Sequence, residues 1–220
     1  MTSPPFYARA VLFDWDGTLL DSYASDARAY VAMFRALGIS WTVDDFNRHY
    51  SPNWLHVYEA ARIPREKWEE ADRLWHQAYE SESPELLPGA GQVIELLRSR
   101  FQLAIVTSGS GGRVRRQLQE FQLASSFPVC VCCEDAPRRK PDPAPLQVAL
   151  ERLGARPEES IYVGDSAEDI QMARGAGVRA IGVFGPFPTA ERVRASKPDA
   201  LLDSIADLPP LLFPSGSTSE

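Results

Sequence analysis

The chain is predicted to be an α/β protein, a doubly wound parallel sheet with an inserted α-helical cap domain. Two observations predict this. Short, near-continuous apolar runs alternate with helix-like segments, the pattern of a sheet covered on both faces. The runs are "AVLFD", "LAIVTS", "PVCVCCE", "IYVGD", "AIGVF" and "ALLDS". The alternation lapses once, between the first run and the second, where residues 24–82 hold no convincing strand.

The first run ends in "DWDGT", which places two carboxylates, Asp14 and Asp16, at the end of a buried strand. Like charges that close repel, and a buried carboxylate costs several kcal/mol unless something compensates it. The lapse that follows reads as helices: Ala27, Val31, Phe34 and Leu37 recur at helical spacing, as do Trp68, Ala71, Trp75 and Ala78. Thr42 with Asp45 has the form of a capping box. The return segment "SESPELLPGAG" is rich in Ser, Pro and Gly, as linkers are. The expected division is therefore a core of residues 1–20 and 88–220 and a helical insert of residues 21–87. After the insert, "AGQVIELLRSR", "RVRRQLQEFQL", "APLQVALERLG" and "SAEDIQMARGAG" read as helices between strands, with Gly154 and Gly177 as stops. The tail "PSGSTSE", residues 214–220, is expected to be disordered.

Composition narrows the function classes. With 220 residues and 44% hydrophobic content, the chain can bury a sizeable core. A net charge of −7 argues against nucleic acid or a membrane surface as the main partner, since both want clustered positive charge. There is no apolar stretch of membrane-spanning length, and "MTSPPFYARA" lacks the charge-then-apolar order of a signal peptide. Cys130, Cys132 and Cys133 have no zinc-ligand spacing; they read as small apolar strand residues, and such near neighbours are poorly placed for disulfides, which suggests a reducing, cytoplasmic setting.

Four stretches carry candidate chemistry, and each has a plainer reading. "DWDGT" could be a hairpin turn; it is not an EF-hand, because glycine and the closing acid fall at the wrong positions. "VTSGSGG" offers Thr107, Ser108 and the Gly109 backbone to an anion at a helix N-terminus, or is a plain glycine-rich turn. Lys140 in "RRKPDP" is either a site lysine or a surface charge; a second "KPD" at Lys197 precedes a strand rather than following one. Asp165 and Asp169 in "VGDSAEDI" share one side of a helix start, where capping alone would favour them. Taken together, Asp14, Thr107, Lys140 and Asp165 would all lie at the carboxyl edge of the sheet, where open α/β sheets bind ligands. A divalent cation and a lysine would then compensate the acids.

In order along the chain, "DWDGT", "VTS", "KPDP" and "GDSAED" resemble the four motifs of the haloacid dehalogenase superfamily, and the likeness extends over nearly the whole chain, insert included. The resemblance implies a phosphatase. Asp14 would be the nucleophile that forms an aspartyl-phosphate, and Asp16 the general acid and then base. Mg²⁺ would be held by Asp14, the Asp16 carbonyl and Asp165, with Asp169 a ligand through water or a supporting partner. Thr107, Ser108 and Gly109 would hold phosphate oxygens, and Lys140 would neutralise charge. Asp16 argues against the dehalogenases and phosphonatases of the superfamily. Asp26, where the β-phosphoglucomutases carry a histidine, favours hydrolysis over mutase chemistry. The segment from "GVFGPFP" to "LPPLL" is similar to the phosphoglycolate phosphatase-like group. A small phosphorylated metabolite is the expected substrate, chosen by the cap. Pyrophosphatase, nucleotidase and phosphomutase activity, or a silent metal-binding module, stand as alternatives, and monomer and homodimer are both open. The cap tryptophans are expected to pack among the cap helices, and Arg113, Arg115, Arg116, Arg138 and Arg139 to form a solvated face.

Overall fold

A computed structural model describes residues 8–213. The tail expected to be disordered lies outside the described residues. By its contacts the chain divides into one unit of residues 1–20 and 86–220 and another of residues 21–85.

The first unit begins with β1 (Ala10–Phe13). The chain leaves it through the short strand β2 (Leu20–Asp21). The second unit consists of α1 (Tyr23–Ala36), α2 (Val43–His49), α3 (Trp54–Ala60) and α4 (Trp68–Tyr79). The return is β3 (Glu85–Leu86), which pairs with β2. Then follow α5 (Ala90–Leu97), β4 (Gln102–Val106), α6 (Gly111–Glu120), β5 (Val129–Val131), α7 (Ala144–Leu153), β6 (Ser160–Gly164), α8 (Ala167–Gly175), β7 (Arg179–Val183), α9 (Ala190–Ala195), β8 (Ala200–Leu202) and α10 (Leu208–Leu212). Leu86 and Leu87 belong to the first unit, where their side chains pack on its core, so the insert ends earlier than residue 87.

Six strands form one sheet in the order β5-β4-β1-β6-β7-β8, all parallel. Strand periodicity sorts the side chains onto two faces. Val11, Phe13, Leu103, Ile105, Ile161 and Val163 point to one core with α5, α6 and α10. Their alternates Ala10, Leu12, Ala104, Val106 and Tyr162 point to a second core with α7 and α8. This two-faced burial is why the runs lack polar residues. From β1 the chain builds outward through β4 and β5, then crosses back to β6 and builds the other way. The reversal beside β1 is the switch point at which such sheets open a crevice at their carboxyl ends.

In the helical unit, Tyr30 stacks on Phe46 at 4.7 Å and lies beside Phe34, Val57, Tyr58 and Ala71 in a separate core. Thr42 and Asp45 form the expected capping box at α2, and Asn53 caps α3. The tryptophans pack within this unit: Trp41 on Phe34 and His49, Trp54 and Trp68 against Tyr58, Trp75 on Tyr79. Among the cysteines, only Cys130 lies in β5; Cys132 and Cys133 follow it, because the strand ends at Val131.

Candidate active site

The four motif segments converge where the parallel register puts their strand ends side by side. Phe13 pairs with Ile105 on one side and Val163 on the other, so the next residues of β1 and β6, through Asp14 and Asp165, leave the sheet at one edge. The Asp14 amide still donates to the Val163 carbonyl at 2.9 Å, and the Thr107 amide to Val131 at 2.9 Å. Backbone bonds of this kind set where each functional side chain starts.

Lys140, from the loop before α7, joins the segments. Its ammonium donates to Asp14 Oδ1 at 2.7 Å, to Asp169 Oδ1 at 2.7 Å and to the Tyr162 hydroxyl at 2.8 Å. Its side chain is 2% exposed, so its three N–H donors all go to protein acceptors. Tyr162 donates in turn to the Val106 carbonyl at 2.8 Å. Asp169 has two tasks. Its Oδ2 accepts from the Ser166 hydroxyl and amide in a capping box at α8, while Oδ1 meets Lys140. The residue thus caps α8 and meets the buried lysine at the same time.

Asp14, Asp165 and Asp169 form a buried group whose carboxylate oxygens lie within 4.8 Å of one another. Burial pushes Asp14 up to about 7 against the pull of Lys140, and Asp169 adds to the rise. Burial raises Asp165 well above the usual carboxylate range, with Asp14 and Asp169 contributing. Burial works against the charge of Lys140, but Asp14 and Asp169 outweigh it and hold the lysine above its ordinary value. One cation among three buried acids leaves a negative surplus. Asp165 Oδ2 is buried without a hydrogen-bond partner among the described residues, a costly state that a divalent cation would relieve. Gly17, at φ 81°, makes the close approach possible: a Cβ there would collide with Asp165 Oδ2 and Phe187. The donor set is hard oxygen and suits a divalent metal of the Mg²⁺ type.

Other sequence candidates are placed nearby with different partners. The Gly109 amide donates to Thr107 Oγ1 at 3.1 Å, so it serves the turn. The first amide of α6, on Gly111, is taken by the Glu134 carboxylate at 3.1 and 3.2 Å, an internal anion where an external one was envisaged. Ser108 Oγ and Thr18 Oγ1 are buried and without partners among the described residues. Asp16 stands apart from the carboxylate group and faces Arg113, whose Nη1 and Nη2 donate to its two oxygens at 2.9 and 2.6 Å. The expectation of a solvated arginine face fails for Arg113, which is buried, and holds for Arg115, Arg116 and Arg138, which are exposed. Arg113 was hidden because its partner is 97 residues away and "RVRR" offers three arginines with no local feature to choose among them.

Comparison with known proteins gives the family. The family model of haloacid dehalogenase-like hydrolases matches residues 11–183. The chain is 30% identical to a phosphoglycolate phosphatase of Pectobacterium atrosepticum, over 96% of this chain and 95% of that protein. It is also 30% identical to the pyrophosphatase PpaX of Bacillus velezensis, over 90% of this chain and 94% of that one. Among solved structures, CbbY from Rhodobacter sphaeroides in complex with phosphate superposes with a TM-score of 0.79 at 26% identity, covering 92% of this chain and 96% of that one. With the motif order, the sheet order and the buried carboxylates in agreement, the chain belongs to the haloacid dehalogenase-like hydrolase family.

Proposed function

We propose that this protein is a Mg²⁺-dependent phosphatase that hydrolyses a small phosphate monoester through an aspartyl-phosphate on Asp14. The observation that carries the reading is the position of Asp14: buried at the end of a central strand, beside Asp165 and Asp169, with Lys140 fixing one carboxylate oxygen at 2.7 Å. An Asp14 oxygen attacks phosphorus and the bond to the leaving oxygen breaks, with Asp16 giving that oxygen its proton. Water then attacks the phosphorus, Asp16 takes a proton from it, and the bond to Asp14 breaks. Lys140 orients Asp14 and adds positive charge. Thr107 and Ser108 hold phosphoryl oxygens, a role that suits the unpartnered Ser108 hydroxyl. Asp14, Asp165 and the Asp16 carbonyl would hold Mg²⁺, with Asp169 supporting them; when bound, the ion offsets the charge of acids and phosphate.

The substrate we favour is a 2-phosphoglycolate-like ester, because relatives named phosphoglycolate phosphatase match over 96% and 94% of the chain. Pyrophosphate is the second reading, favoured by relatives named pyrophosphatase at the same 30% identity. We assign substrate choice to residues 21–85 as a cap, and a cytoplasmic setting accords with the free cysteines. The test is phosphate release from a panel that includes both compounds, with Asp14→Asn as control. The expected loss for Asp14→Asn is on the order of 10³-fold or more, with the fold retained. Activity within about tenfold of wild type would remove Asp14 as nucleophile.

A further inference from the structure

We infer that Arg113 is a positioning residue for Asp16: it holds the carboxylate in one orientation by a two-pronged ion pair, and proton transfer to the leaving oxygen depends on that hold. The inference rests on the role proposed above for Asp16.

The arginine sits where helix stability alone would not put it. It is the third residue of α6, in the first turn, where the helix dipole disfavours a cation. Its side chain is 7% exposed, and a buried charge is costly without a matched partner. Arg115 and Arg116 on the same helix are exposed. The partner is Asp16, met by both terminal nitrogens, the fork-to-carboxylate geometry that lysine cannot reproduce.

The hold is itself braced. Arg113 Nη1 also donates to Gln117 Oε1 at 3.2 Å, and the same oxygen accepts from Trp15 Nε1 at 3.0 Å. Trp15 is the residue before Asp16, so the braced path starts and ends on adjacent residues of the first motif. Gly109 leaves the space: a Cβ there would collide with Arg113 Nη2. The glycine expected to serve phosphate therefore has a second physical reason, room for the guanidinium.

Asp16 remains able to work while held. Its side chain is 22% exposed, against 8% for Asp14 and 1% for Asp169. In the first step the proton moves from Asp16 to the leaving oxygen as the phosphorus–oxygen bond breaks. As the proton leaves, negative charge develops on Asp16, and the Arg113 fork holds the emerging carboxylate in the orientation from which it next takes a proton from water.

The experiment compares two esters of unequal leaving group. 2-Phosphoglycolate leaves as an alkoxide unless protonated, whereas p-nitrophenyl phosphate leaves as a stabilised phenolate and needs little acid. Arg113→Met should lower kcat on 2-phosphoglycolate by about 10²-fold and on p-nitrophenyl phosphate by less than about tenfold, with KM little changed. Arg113→Lys, which keeps the charge and loses the fork, should fall between and carries the test if the Met variant does not fold. Asp16→Asn should show the same imbalance, and adding Arg113→Met to it should cost nothing further. Equal losses on both esters, or losses that multiply in the double variant, overturn the positioning role and leave Arg113 as a packing residue. If Asp16→Asn itself shows no imbalance, the acid–base reading of Asp16 fails instead. If the wild-type enzyme releases phosphate from neither ester, the phosphomonoesterase reading fails and takes this inference with it.

Discussion

Lys-Pro-Asp occurs twice in this chain, at residues 140–142 and 197–199, with opposite outcomes. Lys140 follows β5, at the carboxyl edge of the sheet; it is buried and touches Asp14, Asp169 and Tyr162. Lys197 precedes β8, at the other edge; its side chain is exposed, and its carbonyl accepts from Arg174 at 2.9 Å. The two aspartates differ as well. Asp142 accepts from the Ala144 amide at the start of α7, while Asp199 pairs with Ala180 through its own amide and its carboxylate and aligns β7 with its neighbour. Identical tripeptides thus become a buried, acid-paired lysine with a helix cap and a strand-entry turn. Position relative to strand direction decides which, because only the carboxyl ends surround the buried acids.

The largest test of this contrast is on activity. Lys140→Ala should lower kcat/KM by about 10³-fold, since it removes the cation beside Asp14, the proposed nucleophile, while Lys197→Ala should stay within about twofold. Equal losses in a steady-state assay would mean that strand edge does not separate the two copies.

A smaller effect sharpens the electrostatic half of the contrast. Lys140 alone does not balance its acids, so the metal-free site resists ionisation. A carboxyl raised in the folded state binds its proton more tightly there than in the unfolded chain. Its stabilising contribution is present below the unfolded value of about 4 and is lost as pH rises through the folded one, about 7 for Asp14. Mg²⁺ should therefore raise Tm more at about pH 8 than at about pH 5, by several degrees of difference. Melting curves with Mg²⁺ and with chelator measure it; a gain independent of pH would dissociate the metal from these carboxylates. No such dependence is expected to change on replacing Lys197.

The smallest effect lies at the second copy. Lys197 has φ 53°, a left-handed conformation that costs a side-chain-bearing residue about 1 kcal/mol. Lys197→Gly should leave stability unchanged or raise it by up to about 1 kcal/mol in denaturant unfolding, with activity intact. A loss above about 1 kcal/mol would show that the exposed lysine has a structural task of its own.

Much of this was legible in the sequence for reasons the comparison makes plain. The six strands announce themselves because both faces of the sheet are buried, and the residues that end them are polar enough to stand out against apolar runs. Strand direction then groups Asp14, Thr107, Lys140 and Asp165 without knowledge of strand order. What stayed hidden depends on contacts between distant side chains. Glu134 closing α6, the Tyr162 hydroxyl on Lys140 and the pairing of Arg113 with Asp16 leave no periodic trace. The strands Leu20–Asp21 and Glu85–Leu86 are two residues each, too short for any alternation to appear.

Those two strands also bear on how this chain tolerates change. They pair with each other, so the sheet-forming unit sees the chain depart and return at neighbouring points. Whatever lies between is, in its accounting, one loop. The entropy of closing a loop grows only with the logarithm of its length, about 0.6 kcal/mol for each doubling. Changing the length of residues 22–84 thus alters the loop-closure cost seen by the parallel sheet only slightly. The two units can drift at different rates within one polypeptide, and the short paired strands are the seam that lets them.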